Sequence, residues 1–354
     1  MANKADPNPL EIEAQEALAV KDALVAMGLA AAGDGVWIDK LSGGVSCDVY
    51  HVALGAKEFC LKRALPKLRV EADWRAPVER SITEAAWMKL ANKIAPGRAP
   101  KILGEDPARH VFAMEFFPPE KFPVWKAKLA AGQIDADFAG RVGGQLVYLH
   151  ASTIGRRDVE KNFANDAQFL ALRLDPFLLH VARKHTEVGA ELRAAARGVS
   201  RARIALMHGD VSPKNILVGP NGPVFLDAET ACYGDPAFDL AFCLNHLLLK
   251  CVWHPEWTEL YLKSFSRMRS DYFAGITWEA TDAFERRAAR LLLGLLLARV
   301  DGKSPADYLT SEAQQFFVRV EAIEMLKAKF STLEAIATRW RKAINLAPHL
   351  RGLP

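Results

Sequence analysis

From about residue 135 the chain reads as helix after helix, and the interruption at residues 204–228 constrains its fold more than any other stretch. Residues 204–207, 216–218 and 224–226 are short apolar pieces between polar turns, the pattern of strands. A strand-and-loop insert in a helical body is where function is expected, because loops on a rigid scaffold carry binding and catalytic groups. The first loop, Leu206-Met-His-Gly-Asp-Val-Ser-Pro-Lys-Asn215, ends one strand at His208-Gly209-Asp210, bends at Pro213 and opens the next strand at Asn215. Asp227 closes the strand after that. The spacing is five residues from Asp210 to Asn215 and twelve more to Asp227, which brings carboxylate and amide oxygens to one rim.

Upstream the periodicity changes. Residues 11–31 read as helix, whereas residues 35–64 alternate apolar and polar, with turns at Gly43-Gly44 and at residues 54–57. A helix is expected near 78–93 (Ala85, Met88 and Leu90 at helical spacing) and two more strands near 100–104 and 110–116. This predicts a five-stranded sheet with a helix. Pro118-Pro119 and Pro123 mark a connector. Helices are then expected at about 135–153, 166–197, 237–250, 256–273, 281–299 and 311–343. The domain expectation is an N-terminal helical extension (1–34), a sheet-rich lobe (35–117) and a helical lobe with the 204–228 insert (118–354).

Composition narrows the function classes. With 354 residues the chain is too long for one small core. A formal net charge of +4 without a Lys/Arg run or a basic-aromatic stripe excludes nucleic acid as the expected partner. The most apolar run, residues 291–298, is far too short for a membrane span, and the first residues have no apolar secretory core. The five cysteines, at 47, 60, 232, 243 and 251, form no CxxC pair, so neither a zinc site nor a disulfide framework is expected, and a reducing cytoplasm fits. Oligomeric state has no sequence signature here.

The 204–228 insert has a definite chemistry. A hard cation such as Mg²⁺ takes oxygen ligands, only one or two of them from the protein, while phosphate and water supply the rest. Asn215 and Asp227 suit that role and leave Asp210 to accept a proton from a hydroxyl nucleophile. The order catalytic Asp, metal Asn, metal Asp is the kinase plan.

These residues, His-Gly-Asp-x-x-x-x-Asn followed by Leu-Asp, make the chain resemble the aminoglycoside phosphotransferase and choline kinase superfamily over roughly residues 35–300. The resemblance implies an α+β, bilobal, protein-kinase-like fold with a small β-sheet N-lobe, a hinge near 115–122 and a larger, mostly helical C-lobe. It makes Asp210 the catalytic base and Asn215 and Asp227 the magnesium ligands. His208 would brace the loop, and Asp239 would be a structural carboxylate. On the nucleotide side it implies that Lys62 reaches the ATP phosphates, with Glu84 as its ion-pair partner ahead of Glu71 and Glu79. The Ser42-Gly43-Gly44-Val45-Ser46 turn would approach phosphate, Glu115 and Phe117 would offer backbone groups to adenine, and Met114 would lie behind the ring.

Departures refine the expectation. There is no G-x-G-x-x-G, no D-F-G and no A-P-E, so a small-molecule kinase is expected rather than a protein kinase. Asp227-Ala-Glu229 resembles choline and methylthioribose kinases and makes Glu229 a candidate metal-facing carboxylate, although methylthioribose kinases have no Asn at the place of Asn215. The expected cofactors are ATP and Mg²⁺, and the expected partner is a small-molecule hydroxyl acceptor such as a sugar or amino alcohol. An aminoglycoside antibiotic and a non-catalytic nucleotide-binding module are the alternatives. From 252 to the end, 15 Lys/Arg stand against 12 Asp/Glu, without the carboxylate excess that a polycationic acceptor calls for. Arg299 and Asp301 read first as helix-end capping. Trp253, Trp257 and Trp278 read as packing residues, and Lys214 is a further candidate near the transferred phosphate.

Overall fold

A computed structural model describes residues 9–41, 46–66 and 77–350, with side chains from residue 14. The chain divides into two compact units, 1–92 with 100–117 and 93–99 with 118–354.

The first unit is built on one antiparallel sheet. β1 (Trp37–Leu41), β2 (Cys47–Leu54), β3 (Lys57–Ala64), β4 (Ile102–Asp106) and β5 (Val111–Glu115) lie in the order β1-β2-β3-β5-β4. Helix α1 (Pro9–Ala26) precedes the sheet, and α2 (Arg80–Ile94) connects β3 to β4. Residues 59–62 are all buried, yet strand alternation still separates them. Phe59 and Leu61 share a core with Tyr50, Val52, Val111, Ala113 and the α1 residues Val20, Ala23 and Leu24. Lys62 leaves the strand on the other face, toward Glu84 of α2. The N-terminal helix is therefore an integral layer of this unit, where an extension was expected; its apolar stripe has a sheet face to cover.

The second unit is mostly helical: α3 (Trp125–Ala130), α4 (Ala136–Ala151), α5 (Arg157–Asn162), α6 (Asp166–Phe169), α7 (His180–Lys184), α8 (Gly189–Arg201), α9 (Ala237–Trp253), α10 (Thr258–Phe273), α11 (Thr281–Asp301), α12 (Glu312–Lys327) and α13 (Leu333–Asn345). At its centre is α9, buried on every side from Ala237 to Val252. Helices α4 and α10 approach closely because position 143 is glycine; a Cβ there would meet the Met268 carbonyl oxygen. No helix among the described residues is long and apolar enough to cross a membrane.

Two expected long helices are broken. Residues 166–197 form α6, a π-helical stretch Leu170–Leu179 containing Pro176, then α7 and α8. Proline has no N–H to give the ladder, and the wider turn absorbs that loss. Residues 311–343 split into α12 and α13, with Lys329 at φ 55° and Thr332 accepting from the Ala335 N–H at the new helix start. The insert forms two small antiparallel pairs. β6 (Ala205–Met207) pairs with β9 (Cys232–Gly234), a strand absent from the sequence expectation. β7 (Ile216–Gly219) pairs with β8 (Gly222–Phe225) as a hairpin.

Candidate active site

The loop after β6 is fixed from several directions, all within the helical unit. Asp239, fully buried on the first turn of α9, accepts the His208 N–H at 2.7 Å and the Gly209 N–H at 2.8 Å. Gly209 sits at φ +81°, and a Cβ there would strike the Thr230 carbonyl, so both conformation and space call for glycine. Burial lowers the pKa of His208 despite the carboxylates of Asp239, Asp210 and Asp227 nearby. The neutral ring then uses both nitrogens: Nδ1 accepts the Asp210 N–H at 3.2 Å and Nε2 donates to the Leu226 carbonyl at 2.9 Å. One imidazole thereby ties the loop after β6 to the segment after β8.

Asp210 is 4 % exposed. Asn215, in the 3₁₀ turn Pro213–Asn215, turns its Nδ2 back to the Asp210 carbonyl at 3.0 Å and to its carboxylate Oδ2 at 2.8 Å. Its Oδ1 takes no protein hydrogen bond among the described residues. The Leu226 N–H donates to the Asn215 carbonyl at 2.8 Å, which seats Asp227 next to Asn215 across the hairpin. Asp227 itself has φ 66°, a conformation that non-glycine residues adopt rarely and that gathers at functional sites. Glu229 is buried in the turn beyond, its carbonyl accepting from Gln168 Nε2.

The donor set of Asn215, Asp227 and Glu229 is all oxygen, which suits a hard cation. Among the described residues no group of three or more His, Cys, Asp or Glu side chains forms a metal cage. An ion held here needs phosphate and water to complete its shell, as Mg²⁺ bound with a nucleotide has.

Two residues of this site had no sequence signal. Arg173, in the π-helical stretch, places Nη2 3.1 Å from Asp210 Oδ2 and donates through Nε to the Gly209 carbonyl at 2.7 Å. An arginine within a helix is commonplace, and only Pro176 three residues on hinted that this helix is irregular. His150 of α4 bridges Asp239 Oδ2 at 3.2 Å and the Tyr272 hydroxyl at 2.8 Å. Lys214 lies 3.5 Å from Asp210 Oδ2 but is over half exposed, so water screens that pair.

In the sheet unit, Lys62 Nζ meets Glu84 Oε1 at 2.7 Å, both side chains almost sealed from solvent. Glu79 is exposed, and Glu71 lies outside the described residues, as do Ser42, Gly43 and Gly44. Ser46 is buried at the start of β2, where its carbonyl accepts from Arg80 and from the Leu65 N–H. Glu115 ends β5 with its N–H donated to the Lys101 carbonyl at 2.9 Å, so an adenine edge would have to use other backbone groups there or at Phe117. Met114 is buried on β5. Of the other candidates, Arg299 donates to the Ser304 carbonyl just beyond α11, in keeping with capping, and Asp301 binds Lys184, His185 and Arg319. Trp257 and Trp278 pack on His254 and Phe284.

The model of the phosphotransferase enzyme family matches residues 37–284, most of the chain. The chain belongs to that family. Among curated proteins it is similar to methylthioribose kinase 1 of Oryza sativa subsp. japonica, 24% identical over 244 residues, 61% of this chain and 56% of that protein. It is also 27% identical over 223 residues to the methylthioribose kinase of Erwinia tasmaniensis, covering 55% of each. The chain thus spans about half the length of the curated relatives it matches. Among solved structures it is similar to amicoumacin kinase hAmiN in complex with AMP-PNP, Ca²⁺ and Ami, with TM-score 0.58, 14% identity and coverage of 92% of this chain and 97% of that one. A choline/ethanolamine kinase family protein from Mesorhizobium loti gives TM-score 0.51 at 18% identity, over 94% and 99% of the two chains. At these identities the likeness is one of fold: the α+β, protein-kinase-like fold of the small-molecule phosphotransferases.

Proposed function

We propose that this chain is an ATP- and Mg²⁺-dependent kinase that phosphorylates a hydroxyl of a small molecule. The observation that carries the reading is the pairing of Asp210 with Asn215 on a loop clamped by Asp239. A buried carboxylate is held at one oxygen by an amide, and the other face of that amide is an oxygen without a protein donor among the described residues. That arrangement serves a group that must orient a hydroxyl and take its proton beside a metal-bound phosphate.

In this reading Asp210 accepts the acceptor's proton. The freed oxygen bonds to the γ-phosphorus as the bond to the β-bridging oxygen breaks, and ADP leaves with that electron pair. Asn215 and Asp227, with Glu229 nearby, would hold Mg²⁺, which would neutralise phosphate charge. Lys62, oriented by Glu84, binds phosphate oxygens. His208 and Asp239 hold the loop in position before the acceptor arrives, so little reorganisation is left for the reacting complex. We assign the chain to a reducing cytoplasm, the setting in which buried thiols such as Cys60, Cys232, Cys243 and Cys251 persist unpaired.

The test is a screen of small alcohols, sugars and hydroxy acids with ADP release as readout. Asp210→Ala keeps MgATP binding and loses transfer by roughly 10²- to 10⁴-fold. Near wild-type turnover by that variant on the true acceptor would remove Asp210 from its role.

A further inference from the structure

Beyond Asp210 the helical unit contains a buried group that the transfer chemistry does not use. Lys250 of α9 is 1 % exposed, and its Nζ has no hydrogen-bond or ion-pair partner among the described residues. It lies between the rings of Trp253, 4.7 Å away, and Tyr308, 4.6 Å away. Burial, with Lys126 nearby, brings its pKa down to about 7. Ring contacts offset part of the cost of burying an ammonium, and an amine sealed without a partner holds its proton firmly once an anion is bound beside it.

Lys250 does not stand alone. The Tyr308 hydroxyl is 3.0 Å from His246 Nδ1, one turn back on α9. His246 is buried within electrostatic reach of Arg299, Lys250, Lys214 and Lys126. Arg299, at the end of α11, is half-buried; its Nε is sealed from solvent without a hydrogen-bond partner among the described residues, and it feels both Asp210 and Arg173. The carboxylate facing this group is Asp307, largely exposed and already paired with Lys126 at 2.6 Å. Short steps lead from here to the candidate base: His246 packs edge-on to Phe242 at 5.8 Å, Arg173 lies over Phe242 at 6.0 Å, and Arg173 binds Asp210 at 3.1 Å.

We propose that this cluster recognises the acceptor and that the acceptor is an anionic alcohol, a hydroxyl compound carrying a carboxylate or a phosphate. Its acidic group is held by Lys250, Arg299, His246 and the Tyr308 hydroxyl, and its hydroxyl is presented to Asp210. A polycationic or quaternary-ammonium acceptor would meet like charge here, which costs affinity directly. The inference rests on the kinase reading for the identity of the ligand as acceptor, but its charge preference is separable from turnover.

The experiment titrates the full chain, saturated with Mg²⁺ and a non-hydrolysable ATP analogue so that the nucleotide site is filled, with glycerate, glycerol 3-phosphate, glycerol and ethanolamine. At least one anion should bind tenfold or more tightly than glycerol. The preference between glycerate and glycerol 3-phosphate reads which acidic group is meant. Lys250→Met should lower that affinity tenfold or more while keeping a melting temperature at or above wild type, and Tyr308→Phe, which keeps the ring over Lys250, should lower it by a smaller factor. Equal binding of all four probes, tighter binding of ethanolamine, or an unchanged anion affinity in Lys250→Met overturns the proposal. Anion binding lost in Lys250→Met, with no ADP release on any acceptor, leaves this site standing and sinks the kinase reading. Efficient phosphorylation of cationic amino alcohols does the reverse.

Discussion

Asn215 holds Asp210 twice, donating through Nδ2 to its carbonyl at 3.0 Å and to its carboxylate at 2.8 Å. The amide is thus spent on the neighbour, and only its oxygen faces outward. Asn215→Ala removes both functions, freeing the Asp210 carboxylate to turn and deleting one oxygen ligand. Loss of such a buried bond costs about 1–3 kcal/mol. Turnover should therefore fall at least tenfold, and calorimetric MgATP affinity should weaken with it. Unchanged MgATP affinity with impaired turnover would strip Asn215 of its metal role and leave it as a clamp for Asp210.

Lys62 and Glu84 form a buried ion pair in the sheet unit, 2.7 Å apart. Truncating one member of a buried ion pair typically costs about 3–5 kcal/mol. Lys62→Met should lower both thermal stability and ATP-dependent turnover. Lys62→Met combined with Glu84→Leu should recover most of the stability and none of the activity. Thermal unfolding of the three proteins beside an ADP-release assay checks both halves. A double variant that regained turnover would refute a phosphate-binding role for Lys62.

Asp239 is the anchor beneath the loop, with two backbone N–H groups and His150 on one carboxylate. Asp239→Asn keeps the shape but turns one acceptor into a donor facing donors. A stability loss of about 2–3 kcal/mol is expected from a charge-assisted bond broken in the interior. Amide exchange at His208 and Gly209 should rise along with it, because those protons lose their acceptor. Urea unfolding measures the first effect and hydrogen exchange the second; exchange confined to the rest of α9 would show that Asp239 serves the helix rather than the loop.

What could be read in the sequence is what is local. The β1–β3 meander is visible as alternation, and Asp210, Asn215 and Asp227 are close in sequence and joined by one hairpin, so their spacing carries their geometry. Lys62 was harder to orient, because its strand is buried on both faces and alternation between two buried sides leaves no polarity contrast. Arg173, His150 and Lys250 were not legible at all. Arg173 and His150 reach their partners across dozens of residues from ordinary-looking helices, and Lys250 is set apart by its burial, so tertiary packing rather than pattern selects all three. The π-helical stretch within residues 166–197 follows from Pro176, a signal present in the sequence and outweighed by the helical periodicity on either side. The N-terminal helix reads as an extension because nothing in its own composition says that a sheet lies beneath it.

Asp301 offers a pH-dependent test away from the candidate active site. It ends α11 nearly buried and accepts from Arg319 at 2.6 and 2.9 Å, from Lys184 at 2.6 Å and from His185 at 2.9 Å. Burial works against its ionisation, but hydrogen bonds from Arg319, Lys184 and His185 outweigh it and hold the carboxyl well below the usual range. The folded state therefore binds this proton more weakly than the unfolded chain does. The stabilisation is complete above the ordinary carboxylate value of about 4 and is lost as pH falls through the lowered folded value. Asp301→Asn should cost about 3 kcal/mol at pH 7, the low end for breaking a buried pair, because Lys184 stays in water. The gap between the two proteins should narrow as pH drops from 5 toward 2, since other carboxylates titrate equally in both and cancel in the difference. Urea unfolding of both proteins across that range reads it directly. A gap independent of pH would mean that Asp301 contributes through shape and neutral hydrogen bonding rather than through its charge.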